Sequence, residues 1–161
     1  MLFPNVHGSN LMRQKINLPD DFEGELNIVL IAFQQWHQKL VDTWIPAAEQ
    51  LEAEFRGVKY YELPTIHSMS FISKTFINEG MRAGIPNPKS RQRTITLYLD
   101  KEPFRQSLGI TSEDTITILL VDKDGEVLWR SEGAYEPEKG KALQEAIKVN
   151  YQMPKSDYNL S

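Results

Sequence analysis

A chain of 161 residues with 40% hydrophobic and 25% charged side chains has the size and composition of one globular domain, which excludes a collagen, a coiled-coil rod and a disordered chain. A net charge of −4 supplies no electrostatic footprint for a phosphate backbone and argues against nucleic acid as a partner. The absence of cysteine removes disulfides, thiolate nucleophiles, Cys-ligated zinc, iron–sulfur clusters and covalent haem together.

In chain order, Leu26 to Phe33 is a nearly continuous, β-branched apolar run, the pattern of a central strand covered on both faces. Leu40, Val41, Trp44, Ile45, Ala48, Leu51 and Phe55 then recur at three- and four-residue spacing ahead of Gly57, which predicts an amphipathic helix. Pro46 either opens that helix at the favoured first position or kinks it; both place residues 34 to 45 at a strand-to-helix junction. Val58 to Leu63 reads as a second strand and Ser70 to Gly80 as a helix. Met81 to Arg93, with Gly84, Pro86, Pro88, Arg82, Lys89, Arg91 and Arg93, reads as a basic, solvated surface loop.

Thr94 to Leu99 alternates like a strand, Glu102 to Leu108 forms a short helix closed by Gly109, and Thr115 to Val121 is another β-branched strand. Asp122-Lys123-Asp124-Gly125 predicts a tight hairpin turn with glycine in the left-handed position, from which Glu126 to Arg130 returns antiparallel. The last helix starts at Pro137, with Glu138 near its positive end and Lys148 near its negative end. This order predicts a three-layer α/β domain over residues 1–150, with a mixed central sheet and helices on both faces. Residues 151–161 form a polar, aperiodic tail expected to fray. The longest fully apolar run, Ile28 to Phe33, falls far short of the roughly 20 residues that cross a bilayer. Met1 to Asn5 carries no basic n-region or apolar stretch, so the expected setting is cytoplasmic.

Pattern and motifs together resemble the thioredoxin superfamily in its peroxiredoxin-like layout. The hairpin Leu120 to Val127 and the segment Leu99-Asp100 to Ile110 carry that likeness, which covers roughly residues 3 to 150. The resemblance implies a redox centre just after Phe33, at the helix start. Here the residues are Gln34, Gln35, Trp36, His37, Gln38, Lys39, Leu40, Val41 and Asp42, none of which replaces a thiolate. The superfamily's proline before the hairpin strand is also missing, its place taken by Ser112-Glu113-Asp114-Thr115. Phe33, Trp36, Gln38, Trp44 and Pro46, with Val121-Asp122, Gly125, Val127-Leu128-Trp129 and Gly133, further resemble the mitochondrial ATP-synthase assembly-factor family. That likeness implies a cysteine-free binding protein with protein partners, ATP-synthase subunits among them.

The expected function is therefore a redox-inactive, thioredoxin-fold protein-binding or assembly factor, with no catalytic residue, metal or cofactor assigned. The resemblance implies a partner surface over the region Trp36 to Trp44 and the hairpin near Trp129, which makes Trp36, His37, Gln38, Asp42, Trp44 and Trp129 the candidate binding residues, and tryptophan is the side chain that dominates interface hot spots. Trp44 shares the apolar helix face of Leu40, Ala48 and Leu51, so its first reading is core packing. The alternative is a non-thiol enzyme or a small-ligand or metal protein that uses the cleft at the first strand-helix junction, with His37, Asp42 and Glu62 around its ligand. No helical or turn spacing joins His7, His37 and His67 into a metal site. Asp122, Asp124 and Glu126 lack the ligand spacing of a calcium loop. Signatures of dinucleotide, P-loop, hydrolase-elbow and zincin sites are absent.

Overall fold

The computed structural model describes residues 1–67 and 93–151, and among them seven strands form one mixed sheet. The strands are β1 (Val6–Asn10), β2 (Lys15–Leu18), β3 (Leu26–Ala32), β4 (Val58–Ile66), β5 (Ile95–Tyr98), β6 (Thr117–Asp122) and β7 (Val127–Glu132). The α-helices among the described residues are α1 (Gln38–Glu54), α2 (Lys101–Ser107) and α3 (Pro137–Asn150). In space the strands run β2-β1-β5-β4-β3-β6-β7. β3, β4 and β5 are mutually parallel, while β6, β7 and the β1–β2 hairpin are antiparallel to their neighbours. The helix expected over residues 70–80, most of the basic loop and the tail beyond Tyr151 lie outside the described residues.

β3 is central because every residue in it is buried. Its side chains alternate between two cores, as the pleat requires. Val29 and Ile31 join Phe3, Phe22, Leu63, Leu97, Phe104, Leu108 and Leu119 on one face. Ile28 and Leu30 join Val41, Trp44, Ala48, Leu51, Ile118, Leu120, Leu143 and Ile147 on the other. The second core is roofed by α1 and α3; the first is covered by α2 and the segments around Phe3 and Phe22. That is the expected three-layer arrangement.

The β6–β7 turn forms as predicted, with Gly125 at φ +88°. Asp122 Oδ1 accepts from the backbone N–H groups of Asp124 and Glu126, both at 2.9 Å, so this carboxylate closes the turn. α3 starts with Pro137 in its first turn. α1 does not start at Pro46: it begins at Gln38, after a 3-10 turn over Gln35–His37, and runs through the exposed proline. A proline in a helix interior costs one backbone hydrogen bond, here offset by the buried row Val41, Trp44, Ala48 and Leu51 on the opposite side.

The N-terminal hairpin was not anticipated, because its strands are short and largely polar. β1 crosses β5 closely at Gly8, where an added methyl would collide with the Thr96 carbonyl oxygen. Since the obstruction is backbone, Gly8→Ala is expected to cost about 1–3 kcal/mol, the range of overpacking. Urea unfolding checks this, and a wild-type midpoint would show that the hairpin shifts freely.

Candidate functional site at the end of the central strand

β3 ends at Ala32, and after Phe33 the chain turns through the 3-10 turn Gln35–His37 into α1. The Phe33 backbone is held on both sides: its N–H donates to His37 Nδ1 (3.1 Å), and its carbonyl accepts from Lys101 Nζ (2.8 Å). Lys101, at the start of α2, also pairs with Glu113 (3.3 Å), whose other carboxylate oxygen accepts from Arg105 Nε (3.1 Å). Gln34 donates to the Glu113 carbonyl (3.1 Å), which ties the start of the turn to the loop before β6. On the next turn, Gln38 Nε2 bridges Asp42 Oδ1 (2.9 Å) and Glu62 Oε1 (3.1 Å). Chain reversal and α2 thus close the strand end with side-chain hydrogen bonds.

His37 is fully buried, and its Nε2 has no hydrogen-bond partner among the described residues. Burial depresses its pKa, and the Lys101 charge acts the same way against the Asp114 carbonyl and the carboxylates of Asp114 and Glu113. Burial raises the Glu62 carboxyl, with Asp42 adding to the rise and the Gln38 hydrogen bond opposing it. Trp36 stands over this site edge-on to His37, ring centres 4.5 Å apart, and remains 49% exposed. The Lys39 ammonium lies 5.4 Å from its ring centre.

Of the candidate residues, Trp36, His37, Gln38 and Asp42 come together here, and Glu62 joins them. Trp44 lies beneath the surface: it is fully buried, donates Nε1–H to the Gly133 carbonyl (2.9 Å) and packs edge-on against Tyr135 at 5.2 Å. Trp129 is half-buried on β7, against the same core as Trp44. Lys101, Arg105 and Glu113 were missed, since only the tertiary fold carries α2 and the 112–115 loop to the end of β3. His7 and His67 are exposed whereas His37 is buried, and no group of three potential metal ligands forms among the described residues.

Arg93 departs from its expected solvated setting. It is 8% exposed, pairs with Glu52 through both nitrogens (2.9 and 3.2 Å) and stacks 3.8 Å above the Tyr60 ring. Burial pushes the Tyr60 hydroxyl up to about 12 against the nearby guanidinium charge. These groups border a cavity of about 280 Å³ that Asn10, Asp21 and Glu23 also line. A second, of about 230 Å³, lies between Glu25, Gly57, Asp124 and Tyr151. Neither reaches residues 34–42.

The family model described as ATP10 protein matches residues 1–149. The chain belongs to the ATP10 protein family. No curated protein matches it significantly in sequence. The solved structures similar to this ATP10-family chain carry thioredoxin-like folds. The exposed lipoprotein thioredoxin of Streptococcus pneumoniae superposes with a TM-score of 0.57 at 14% identity, over 90% of this chain and 99% of the other. The thioredoxin domain of a thiol-disulfide oxidoreductase from Bacteroides vulgatus gives 0.58 at 17%, over 90% and 94%. BsSco, of the Sco family of cytochrome c oxidase assembly proteins, gives 0.59 at 12%, over 92% and 93%. At these identities the likeness establishes the fold alone. Among the described residues of this ATP10-family chain, no helix is long and apolar enough to cross a membrane.

Proposed function

We propose that this chain is a redox-inactive, protein-binding assembly factor whose residues 1–150 form one thioredoxin-like domain, and that it contacts a subunit of ATP synthase through the end of β3. The observation that carries this reading is the state of the strand end. Side-chain hydrogen bonds close it where thioredoxin-like enzymes keep a reactive thiol, and one large aromatic, Trp36, stands half out of it. The chain holds no cysteine for thiol-disulfide exchange. The polar groups a small-molecule reaction would need are engaged with one another: Gln38 holds Asp42 and Glu62, and Lys101 and Arg105 hold Glu113. Membership of the ATP10 family supports ATP-synthase assembly as the process.

The test is an affinity pull-down from detergent-solubilised source cells with wild-type and Trp36→Ala proteins. A tryptophan at a docking centre carries at least about 2 kcal/mol, so recovery of ATP-synthase subunits is expected to drop about 30-fold or more. Half of the side chain already faces water, so folding stability should fall by about 1 kcal/mol or less. Equal recovery by both proteins would remove Trp36 from the interface, and turnover in an insulin or peroxide reduction assay would end the redox-inactive reading.

A further inference from the structure

We propose that His37 is a proton-operated latch that holds Trp36 and the first turn of α1 against the end of β3, and that protonation of its ring releases them. The geometry carries this. Nδ1 accepts the Phe33 N–H at 3.1 Å, so the neutral ring must carry its proton on Nε2. Adding a second proton converts the only acceptor into a donor that faces a donor. The bond to Phe33 is then lost, and the cation is left buried with Nδ1 facing a donor and Nε2 without a hydrogen-bond partner among the described residues, the Asp114 carbonyl near it compensating only in part. A buried, unpaired charge is removed by moving the group to water. Its edge-on neighbour Trp36, 4.5 Å between ring centres, is itself half exposed, so movement of His37 toward water on that side displaces Trp36.

The charged groups that face the ring leave this balance in place. From α2, Lys101 stands on the Phe33 carbonyl and adds positive charge. From the 112–115 loop, the Asp114 carbonyl first, then the carboxylates of Asp114 and Glu113, favour the cation, but Glu113 already pairs with Lys101 and Arg105. Burial outweighs them and holds the folded pKa below the usual histidine value of about 6.5. In the window just below that value the unfolded chain binds more protons than the folded one. The stability that His37 contributes is therefore present above about 6.5 and is lost as pH falls toward the folded pKa. Glu62 has the opposite sign: its folded pKa is raised, so its contribution is lost as pH rises through that pKa. An acid-induced release cannot come from Glu62. The consequence for docking rests on the proposed role of Trp36, whereas the latch itself is testable without a partner.

The experiment is an NMR titration of the wild-type protein from pH 8 to 5 that follows the His37 ring carbons, the Phe33 amide and the Trp36 indole N–H, with the indole assigned from Trp36→Phe. The expected result is one shared midpoint below 6.5 for all three signals, with faster solvent exchange at the Phe33 amide on the acid side. In His37→Gln, whose side-chain oxygen can accept from Phe33 but does not titrate, the Phe33 and Trp36 transitions should vanish. The latch is overturned by His37 titrating while Phe33 and Trp36 stay fixed, by an unchanged Trp36 transition in His37→Gln, or by global unfolding before His37 takes up its proton. If His37→Gln does not fold, co-titration in the wild type still decides. A pull-down that fails at every pH would instead count against Trp36 as the docking residue and leave the latch standing.

Discussion

Trp44→Ala is expected to remove about 3–5 kcal/mol of folding stability, the range for deleting a buried indole. The side chain is fully buried where α1 meets the end of β7, and it shares its core with Leu30, Ile118 and Leu143. Two losses combine. The cavity left by the indole cannot collapse while β3 and β6 are held in register on one side and α3 on the other. The Gly133 carbonyl also loses the Nε1–H that satisfies it at 2.9 Å, and an orphaned carbonyl costs about 1–3 kcal/mol. Against a total of about 5–15 kcal/mol for an ordinary domain, the variant would be marginal or unfolded at room temperature. Trp44→Phe keeps an aromatic ring against Tyr135 but not the donor, so it should fall between the two. Urea unfolding followed by circular dichroism reads both variants. A loss under 1 kcal/mol for Trp44→Ala would show that the region repacks and that Trp44 does not organise the α1–β7 corner.

Much of the fold was legible because its strongest elements are local. The Leu26 to Phe33 run could be read as a central strand since both of its faces are apolar, and it is buried throughout. Val41, Trp44, Ala48 and Leu51 announce the buried face of α1 by spacing alone. The Asp122 to Gly125 turn carries its own chemistry in one carboxylate and one glycine. What escaped depends on partners distant in sequence. β1 and β2 are short, and residues such as His7 and Lys15 face water, so neither periodicity nor apolar content marks them. Arg93 sits in a run of basic residues that reads as solvated. Its burial becomes favourable only once α1 brings Glu52 and β4 brings Tyr60 against it. The candidate site divides in the same way. That no thiol follows Phe33 is plain from the residues themselves, whereas the side chains that close the strand end, Lys101, Arg105 and Glu113, reach it only through the fold.

Glu52→Ala is expected to cost about 3 kcal/mol, through the cation it leaves behind. The two side chains are about 10% exposed, and a guanidinium stranded there loses its carboxylate without regaining its water. The bordering cavity of about 280 Å³ gives water some approach, which places the loss at the low end of the 3–5 kcal/mol seen for broken buried pairs. Replacing both partners, as in Glu52→Leu with Arg93→Met, removes the charges together and should cost less than the sum of the single changes by about 1–3 kcal/mol. Arg93→Lys should behave like a broken pair despite its conserved charge, because an ammonium reproduces neither the two-nitrogen contact nor the stacking 3.8 Å above Tyr60. A double-mutant cycle by urea unfolding at low and high salt separates this from a surface bridge. A pair this buried is weakly screened, so its coupling should persist at 1 M salt, where the Debye length is about 3 Å. Coupling that disappears with salt would place Arg93 in solvent and restore the expectation drawn from its basic neighbours. Coupling that survives would mean that this arginine ties β4 and α1 together immediately before β5, and so helps to set the sheet whose central strand ends at the candidate site.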